Sequence, residues 1–188
     1  MLDSFYNKTS GRQVLILFVL TNAIYLTMLN VSIPTLIGFA DGQLIFDMSP
    51  TGYSFQQAQS LLAALGEEGR QYYLTTQLLL DVLYPLLFAL CYSSLLLWLT
   101  KAGKLTSRIW RYFAYTPLLV CIFDYAENLC IWQMLTQYPN LSESLVQLSS
   151  AFTVAKSTLT MLYFVIVLAA LVGIAVNKVL GRKSTVDA

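Results

Sequence analysis

VLILFVLTNAIYLTMLNVSIPTLIGF, residues 14–39, is the stretch that decides the fold. An α-helix rises about 1.5 Å per residue, so this apolar run is long enough to cross the roughly 30 Å hydrocarbon layer of a bilayer. Three further runs of the same kind cover about residues 72–99, 112–135 and 150–176. We therefore predict an all-α integral membrane protein, a four-transmembrane-helix bundle that forms a single membrane domain over residues 1–188.

The composition agrees with this prediction. Hydrophobic residues make up 57% of the chain and charged residues only 11%, whereas a soluble domain carries about 25% charged residues. No basic patch with interleaved aromatic residues is present, so we expect no nucleic acid among the partners. Membrane lipids are the partners that the composition predicts.

The chain contains no histidine and only three cysteines, Cys91, Cys121 and Cys130. All three cysteines fall inside apolar runs, and none forms a CxxC pair, which argues against a disulfide framework and a cysteine zinc site. The missing histidine excludes the commonest metal ligand and general base. We expect no cofactor and no resident metal.

The segments between the runs contain short helices and turns. Residues 54–65 have apolar side chains at helical spacing with glutamines between them, which predicts a short interfacial helix in the first outer loop, ended by Gly66 and Gly69. Tyr138-Pro139-Asn140 predicts a turn, and residues 181–188 a polar tail.

Basic residues cluster at three points, before the first run, between the second and third, and after the fourth. They are Lys8, Arg12, Lys101, Lys104, Arg108, Arg111, Lys178, Arg182 and Lys183. The loop after the first run is acidic, with Asp41, Asp47, Glu67 and Glu68 against Arg70 alone, and the third loop carries only a glutamate. The positive-inside rule then predicts a multi-pass membrane protein with cytoplasmic N- and C-termini.

Four ionisable residues lie within the runs: Asp81, Asp124, Glu127 and Lys156. Each costs at least ~2.5 kcal/mol at the centre of a spanning helix, so such residues usually face the bundle interior and find partners there. Counted along the helices, all four fall in the middle or the non-cytoplasmic half of the bilayer. We therefore expect them to meet at one depth, with Arg70 near the outer entrance as a second cation against three acids.

Helical spacing adds polar neighbours to these residues. Glu127 and Asn128 share a face with Asp124, while Gln77, Asp81 and Tyr84 form a stripe on the second run. The first run adds a weaker set, Asn22, Tyr25 and Asn30. The candidate ligand-binding residues are Asp81, Asp124, Glu127, Asn128, Lys156, Gln77 and Tyr84.

Three functions fit this constellation at the level of sequence. The first is an intramembrane acidic pocket, open to the non-cytoplasmic side, that binds or transports a small cationic or amphipathic molecule or a proton. The second is an acid–base enzyme acting on a lipid-like or isoprenoid substrate, in which three acids would also suit Mg²⁺. The third is a non-catalytic accessory or scaffold subunit. A small-molecule ligand and a homo-oligomer are the further partners left open.

Four short stretches carry a resemblance to known proteins: residues 46–54 (FDMSPTGYS), 65–70 (LGEEGR), 81–85 (DVLYP) and 124–128 (DYAEN). Together they resemble a group of small bacterial four-helix inner-membrane proteins over residues 46–128. The resemblance implies a bacterial origin, a location in the cell inner membrane and this topology, and it assigns no reaction. In architecture alone, a four-helix bundle with buried acids is also similar to the sterol-isomerase and sigma-2-like receptor family.

Overall fold

A computed structural model gives the fold and describes residues 9–184, with residues 180–184 described by their backbone alone. The described residues are helical and contain no strand. Four helices are long and apolar enough to cross a membrane, Gly11–Phe39, Gly66–Ala102, Ile109–Gln137 and Glu143–Val179. The prediction of four such helices is therefore confirmed, and each is somewhat longer than the sequence predicted.

We label the helices in chain order. They are α1 (Gly11–Phe39), α2 (Phe55–Ala64), α3 (Gly66–Ala102), α4 (Ile109–Phe113), α5 (Thr116–Gln137) and α6 (Glu143–Ser184). Helices α4 and α5 together form the third long apolar unit. Helix α6 runs into the segment predicted as a polar tail, and residues 185–188 lie outside the described residues.

Local sequence signals explain where the helices begin. Ser10 caps α1, because its hydroxyl accepts a hydrogen bond from the Gln13 amide while the Gln13 side chain accepts one from the Ser10 amide. Ser54 and Gln57 repeat the same capping box at the start of α2. Each box satisfies two backbone donors that the first turn of a helix would otherwise leave unpaired.

Two of the four long apolar helices contain a π-helical turn, at Met28–Ser32 in α1 and at Tyr73–Gln77 in α3. The two turns contact each other, and the Ser32 hydroxyl donates to the Gln77 side-chain oxygen across this contact. Such turns widen the backbone locally and are frequent at functional sites. In α1 the turn ends two residues before Pro34.

The short helix α2 is present where the sequence predicted it. Its apolar face, Ala58, Leu61 and Leu62, is buried against the bundle, so α2 covers one end of the molecule. Gly66 has a φ of +61°, which interrupts the helical geometry between α2 and α3 as predicted. The prediction for Gly69 is wrong: this residue lies inside α3, where the absence of a side chain lets Phe39 of α1 approach closely.

Two apolar clusters hold the bundle. One includes Leu36, Phe46 and Tyr73 and lies at the end covered by α2, and the other includes Leu96 and Tyr163 and lies toward the opposite end. Between them the helices carry a layer of buried polar and charged side chains. The candidate site lies in this layer.

The two ends of the bundle differ in charge. Gly11 of α1 lies against Trp98 of α3, and Gly103 lies against Ile174 of α6, so the start of α1 and the ends of α3 and α6 share one end. The described basic residues of that end are Arg12, Lys101, Lys104, Arg108, Arg111 and Lys178. The opposite end carries Asp41, Glu67, Glu68 and Glu143 with Arg70.

Candidate functional site

Lys156 is the centre of the polar layer. Its Nζ lies 2.6 Å from Glu127 Oε2, 3.2 Å from Asp47 Oδ1 and 3.4 Å from Asp124 Oδ1. The contacts with Asp47 and Asp124 are hydrogen bonds, whereas the contact with Glu127 Oε2 is an ion pair without hydrogen-bond geometry. Lys156 thus joins α6 to α5 and to the loop between α1 and α2.

Helical spacing brings these groups into one layer. Asp124 and Glu127 are three residues apart on α5, and Thr153 and Lys156 are three residues apart on α6, so each pair occupies one face of its helix. The hydroxyl of Thr153 donates to Glu127 Oε1 at 2.6 Å. Glu127 is fully buried, and both of its oxygens have a partner on α6.

Asp47 enters the layer from the loop between α1 and α2, where it lies in the short 3₁₀ turn Phe46–Met48. Its Oδ1 pairs with Lys156, and its Oδ2 accepts a hydrogen bond of 2.9 Å from the hydroxyl of Tyr73. From its sequence, Asp47 was predicted only as an acidic residue of the first outer loop and not as a site residue. The apolar pair before it, Ile45 and Phe46, is a local signal that this part of the loop folds inward, and both residues are buried whereas Leu44 is exposed.

Asp81 is held separately from the lysine. Its Oδ2 accepts a hydrogen bond of 3.0 Å from Gln77, and its backbone oxygen accepts one of 3.2 Å from Asn128, whose amide also donates to Asp124 Oδ1 at 3.2 Å. Among the residues that the structure describes, Asp81 forms no ion pair.

Two carboxylate oxygens in this layer are left without a partner. Within residues 9–179, whose side chains are described, no group donates a hydrogen bond to Asp81 Oδ1 or Asp124 Oδ2. Asp81 is 3% exposed and Asp124 is 7% exposed. Neither oxygen is among the fully buried atoms without a hydrogen bond, which are Ser93 Oγ, Glu127 Oε2 and Asn128 Oδ1 in the described residues. Each therefore keeps some exposure and is available to a ligand or a proton.

A cavity of about 380 Å³ is lined by the residues that carry these oxygens. Asp47, Asp81, Asp124 and Lys156 line its polar end. The rest of the wall is mainly apolar and aromatic and consists of Tyr25, Met28, Leu29, Ile33, Met48, Tyr84, Phe88, Val120, Ser157, Thr160, Met161 and Phe164. Ligand sites in proteins have this character, with an apolar lining and a few placed polar groups.

The predicted site residues fall into two groups. Asp81, Asp124, Lys156 and Tyr84 line the cavity, and Tyr84 stacks on Tyr25 with a ring separation of 5.5 Å. The second group supports these residues through hydrogen bonds and ion pairs, and it does not line the cavity. Its members are Gln77, Glu127 and Asn128.

Two expectations about neighbouring residues are corrected by the structure. Arg70 does not serve as the second cation, because it donates to the backbone oxygen of Leu62 and lies over the Tyr138 ring. Asn22 and Asn30 each donate to a backbone oxygen of their own helix and do not join the polar layer. With Asp47 added and Arg70 removed, the layer holds four described carboxylates and one described ammonium, which contacts three of them.

The loop that carries Asp47 is tied to α6 at a second point, through Tyr53. The Tyr53 amide donates to Ser150 Oγ, and the Tyr53 hydroxyl donates to Ser149 Oγ, both at 2.8 Å. Burial raises the pKa of the Tyr53 phenol, so it remains a neutral donor near pH 7. The loop is therefore a fixed cover over the polar end of the cavity.

Three of the carboxylates, Asp47, Asp124 and Glu127, have oxygens within 4.8 Å of one another, a spacing that suits a metal ion. However, the ammonium of Lys156 lies within 3.4 Å of one oxygen from each. A metal would have to displace this ammonium. The arrangement therefore fits an internal lysine cation better than a metal centre.

The fold and the site together define a helical protein with four candidate membrane spans and a layer of buried acids around one lysine. Comparisons with protein-family models, with curated proteins and with solved structures found no match.

Proposed function

We propose that this chain is a multi-pass protein of a bacterial inner membrane, with cytoplasmic termini, and that its cavity binds a small organic cation. The head of the ligand would lie against Asp81 and Asp124. The observation that carries the proposal is the pair of unpartnered carboxylate oxygens, Asp81 Oδ1 and Asp124 Oδ2, on residues that line the cavity.

Charge supports a cationic ligand. If all four carboxylates were ionised, one lysine would leave the layer with three uncompensated negative charges, and such charges are costly away from water. A bound cation or bound protons would compensate for them. If a bound cation replaces bound protons, binding is coupled to proton release. This coupling is what a transport function of the site would use.

The walls of the cavity favour an organic ammonium over a metal ion. Aromatic rings of Tyr25, Tyr84, Phe88 and Phe164 line the cavity, and ring faces attract organic cations when water is excluded. Metal ions of the hard type prefer several oxygen ligands in a closed shell. The unpartnered carboxylate oxygens can accept hydrogen bonds from the N–H groups of an ammonium, and the apolar wall lies beside them.

The test uses decylammonium as a probe of the purified protein in lipid nanodiscs, with decanol as its neutral counterpart. We expect decylammonium to raise the thermal midpoint of the wild type, and decanol to leave it nearly unchanged. Asp81→Asn and Asp124→Asn should abolish the shift, because each removes a negative charge from the head-group site while keeping the shape of the side chain.

Asp41→Asn is the matched control, since it makes the same chemical change at an exposed position in the loop after α1. An equal response to decylammonium in all three variants would rule out the proposed site. In that case the polar layer would act to fix helix packing, as in the scaffold alternative. Conversion of the probe, rather than binding alone, would favour the enzyme alternative.

A further inference from the structure

We propose that the ligand is a single-chain amphipathic ammonium, with its head at Asp81 and Asp124 and its chain in a cleft between α1 and α6 that opens sideways into the bilayer. This inference rests on the proposed function and specifies the class of ligand. In this inference the ligand reaches the cavity from the hydrocarbon layer of the membrane and not from the outer aqueous side.

The packing of the helices leaves this cleft. Helix α1 packs chiefly on α3, and α6 packs chiefly on α5, while α1 and α6 are not among the closely packed pairs. Both helices nevertheless contribute to the wall of the cavity, α1 through residues such as Leu29 and α6 through residues such as Met161. The cavity therefore lies between two helices that do not close on each other.

Exposure changes from the mouth of the cleft to its depth. At the mouth, Tyr25 and Phe164 are each 41% exposed and Met161 is 68% exposed. Met28 and Asp81, also in the cavity wall, are 5% and 3% exposed. A molecule entering from the side would therefore pass apolar side chains before its head reached the carboxylates.

The route from the outer end is covered. Asp47 bonds to both Lys156 and Tyr73 above the polar end of the cavity. Tyr53 fixes the same loop to Ser149 and Ser150 of α6. A water-soluble cation would have to break these contacts to enter, whereas a membrane-dissolved amine would not.

The size of the cavity also fits a single-chain amphipathic ammonium. About 380 Å³ is near the lower end of the range of small-molecule sites, roughly 300–1,000 Å³. It accommodates a head group and the first part of a chain, and the rest of a longer chain would extend through the cleft among the lipid tails. Its apolar wall and polar end match the two parts of such a ligand.

The first experiment compares decylammonium with ethylammonium, which has the same head and almost no chain, by calorimetric titration of protein in nanodiscs with empty nanodiscs as the blank. Leu29→Trp and Met161→Trp place a bulky ring in the cleft from α1 and from α6. We expect each variant to weaken decylammonium binding at least tenfold and to leave ethylammonium binding within about twofold of the wild type, because the head-group site is untouched.

Leu168→Trp is the matched control, because Leu168 is 62% exposed on the same helix and does not line the cavity. It should bind both probes as the wild type does. If Leu29→Trp and Met161→Trp also bind both probes normally, the chain does not lie in the cleft and the inference fails while the proposed function stands. If neither probe binds the wild type, the proposed function itself fails.

A second experiment locates the chain directly. A decylammonium analogue with a photoreactive diazirine at its terminal carbon is bound, irradiated and mapped by mass spectrometry. We expect labels on the cleft-lining parts of α1 and α6, around Tyr25–Leu29 and Met161–Phe164. Labels confined to the loop at Gln43–Tyr53 would place the chain toward the outer water and overturn the lateral route.

Discussion

Asp47 Oδ1 lies 3.2 Å from the ammonium of Lys156, although 109 residues separate the two in the sequence. The side chains are 12% and 13% exposed, so the contact is shielded from water. It connects the loop after α1 to the middle of α6 and places a loop carboxylate in the wall of the cavity. The stability of the polar layer and the closure of the loop therefore depend on the same lysine.

Lys156→Met should destabilise the protein strongly. The substitution keeps a long unbranched side chain and removes the cation that contacts three carboxylates. Removing one partner of a buried ion pair usually costs about 3–5 kcal/mol, because it leaves uncompensated charge. We expect a loss of about 3 kcal/mol in the free energy of unfolding, measured by denaturant titration in nanodiscs.

Adding Glu127→Gln to Lys156→Met should recover part of this loss, since one uncompensated carboxylate is removed from a fully buried position. Lys178→Met, at an exposed position of the same helix, serves as the control and should leave stability within about 0.5 kcal/mol. A Lys156→Met protein as stable as the wild type would show that the carboxylates are already neutral without the lysine.

Asp47→Asn should loosen the loop more than the bundle. Lys156 keeps Asp124 and Glu127 as partners, whereas the loop loses its charged contact with α6. We expect faster backbone amide exchange in residues 43–53, measured by hydrogen–deuterium exchange, with little change in α5. Asp41→Asn makes the same change outside the site and should leave the exchange of residues 43–53 unaltered. Unchanged exchange in Asp47→Asn would mean that Tyr53 alone holds the loop.

The long helices were predictable because their signal is local. An apolar run long enough to span a bilayer is expected to be helical whatever it packs against, because its backbone groups must bond to one another in the absence of water. Asp124, Glu127 and Lys156 were predictable as partners for a related reason, since a charge within such a run must find compensation inside the bundle. Asp81 was expected to join them by the same argument, but among the described residues it forms no ion pair and accepts a hydrogen bond from Gln77 instead. Glu127 and Asp124 both pair with Lys156, as expected.

The role of Asp47 was not predictable in this way. An aspartate in a turn-rich loop is usually solvated, and only the folding of the loop onto α6 brings this one into the polar layer. Arg70 shows the opposite error. Its position near the outer end fitted a site cation, but the local packing of α2 gives it a backbone oxygen and an aromatic ring as partners. Both outcomes depend on tertiary contacts that the sequence pattern does not contain.

Tyr53 should make stability sensitive to alkaline pH. Burial raises the pKa of its phenol above the ordinary value of about 10. Above pH 10 the unfolded chain therefore loses a proton that the folded protein keeps, and the free energy of unfolding falls as the pH rises, by up to about 1.4 kcal/mol per unit.

Tyr53→Phe removes this phenol together with its hydrogen bond to Ser149, and it should cost about 1 kcal/mol near pH 7. The difference between wild type and variant should then shrink and reverse above pH 10, as followed by unfolding titrations at several pH values. If the difference in free energy of unfolding between the wild type and Tyr53→Phe does not change with pH, the phenol ionises equally in the folded and unfolded states.

Gly52 should tolerate alanine less well than the other glycines near the loop. Its φ is +87°, and an added Cβ would lie 2.6 Å from Ser150 Oγ, the atom that accepts from the Tyr53 amide. Gly42 has a φ of +82° with no atom within 4 Å of such a Cβ, and Gly38 is helical with the same free space. The three positions thus separate the cost of the backbone conformation from the cost of the contact.

We expect Gly42→Ala to cost about 1–2 kcal/mol for its left-handed backbone, and Gly52→Ala to cost more, because it also displaces Ser150. Gly38→Ala should be neutral or slightly stabilising, by up to about 1 kcal/mol, as alanine favours the helix. Thermal unfolding in nanodiscs measures this order. Equal costs at Gly42 and Gly52 would mean that the loop moves away from α6 without loss, and that the contact of Tyr53 with Ser150 does not hold it in place.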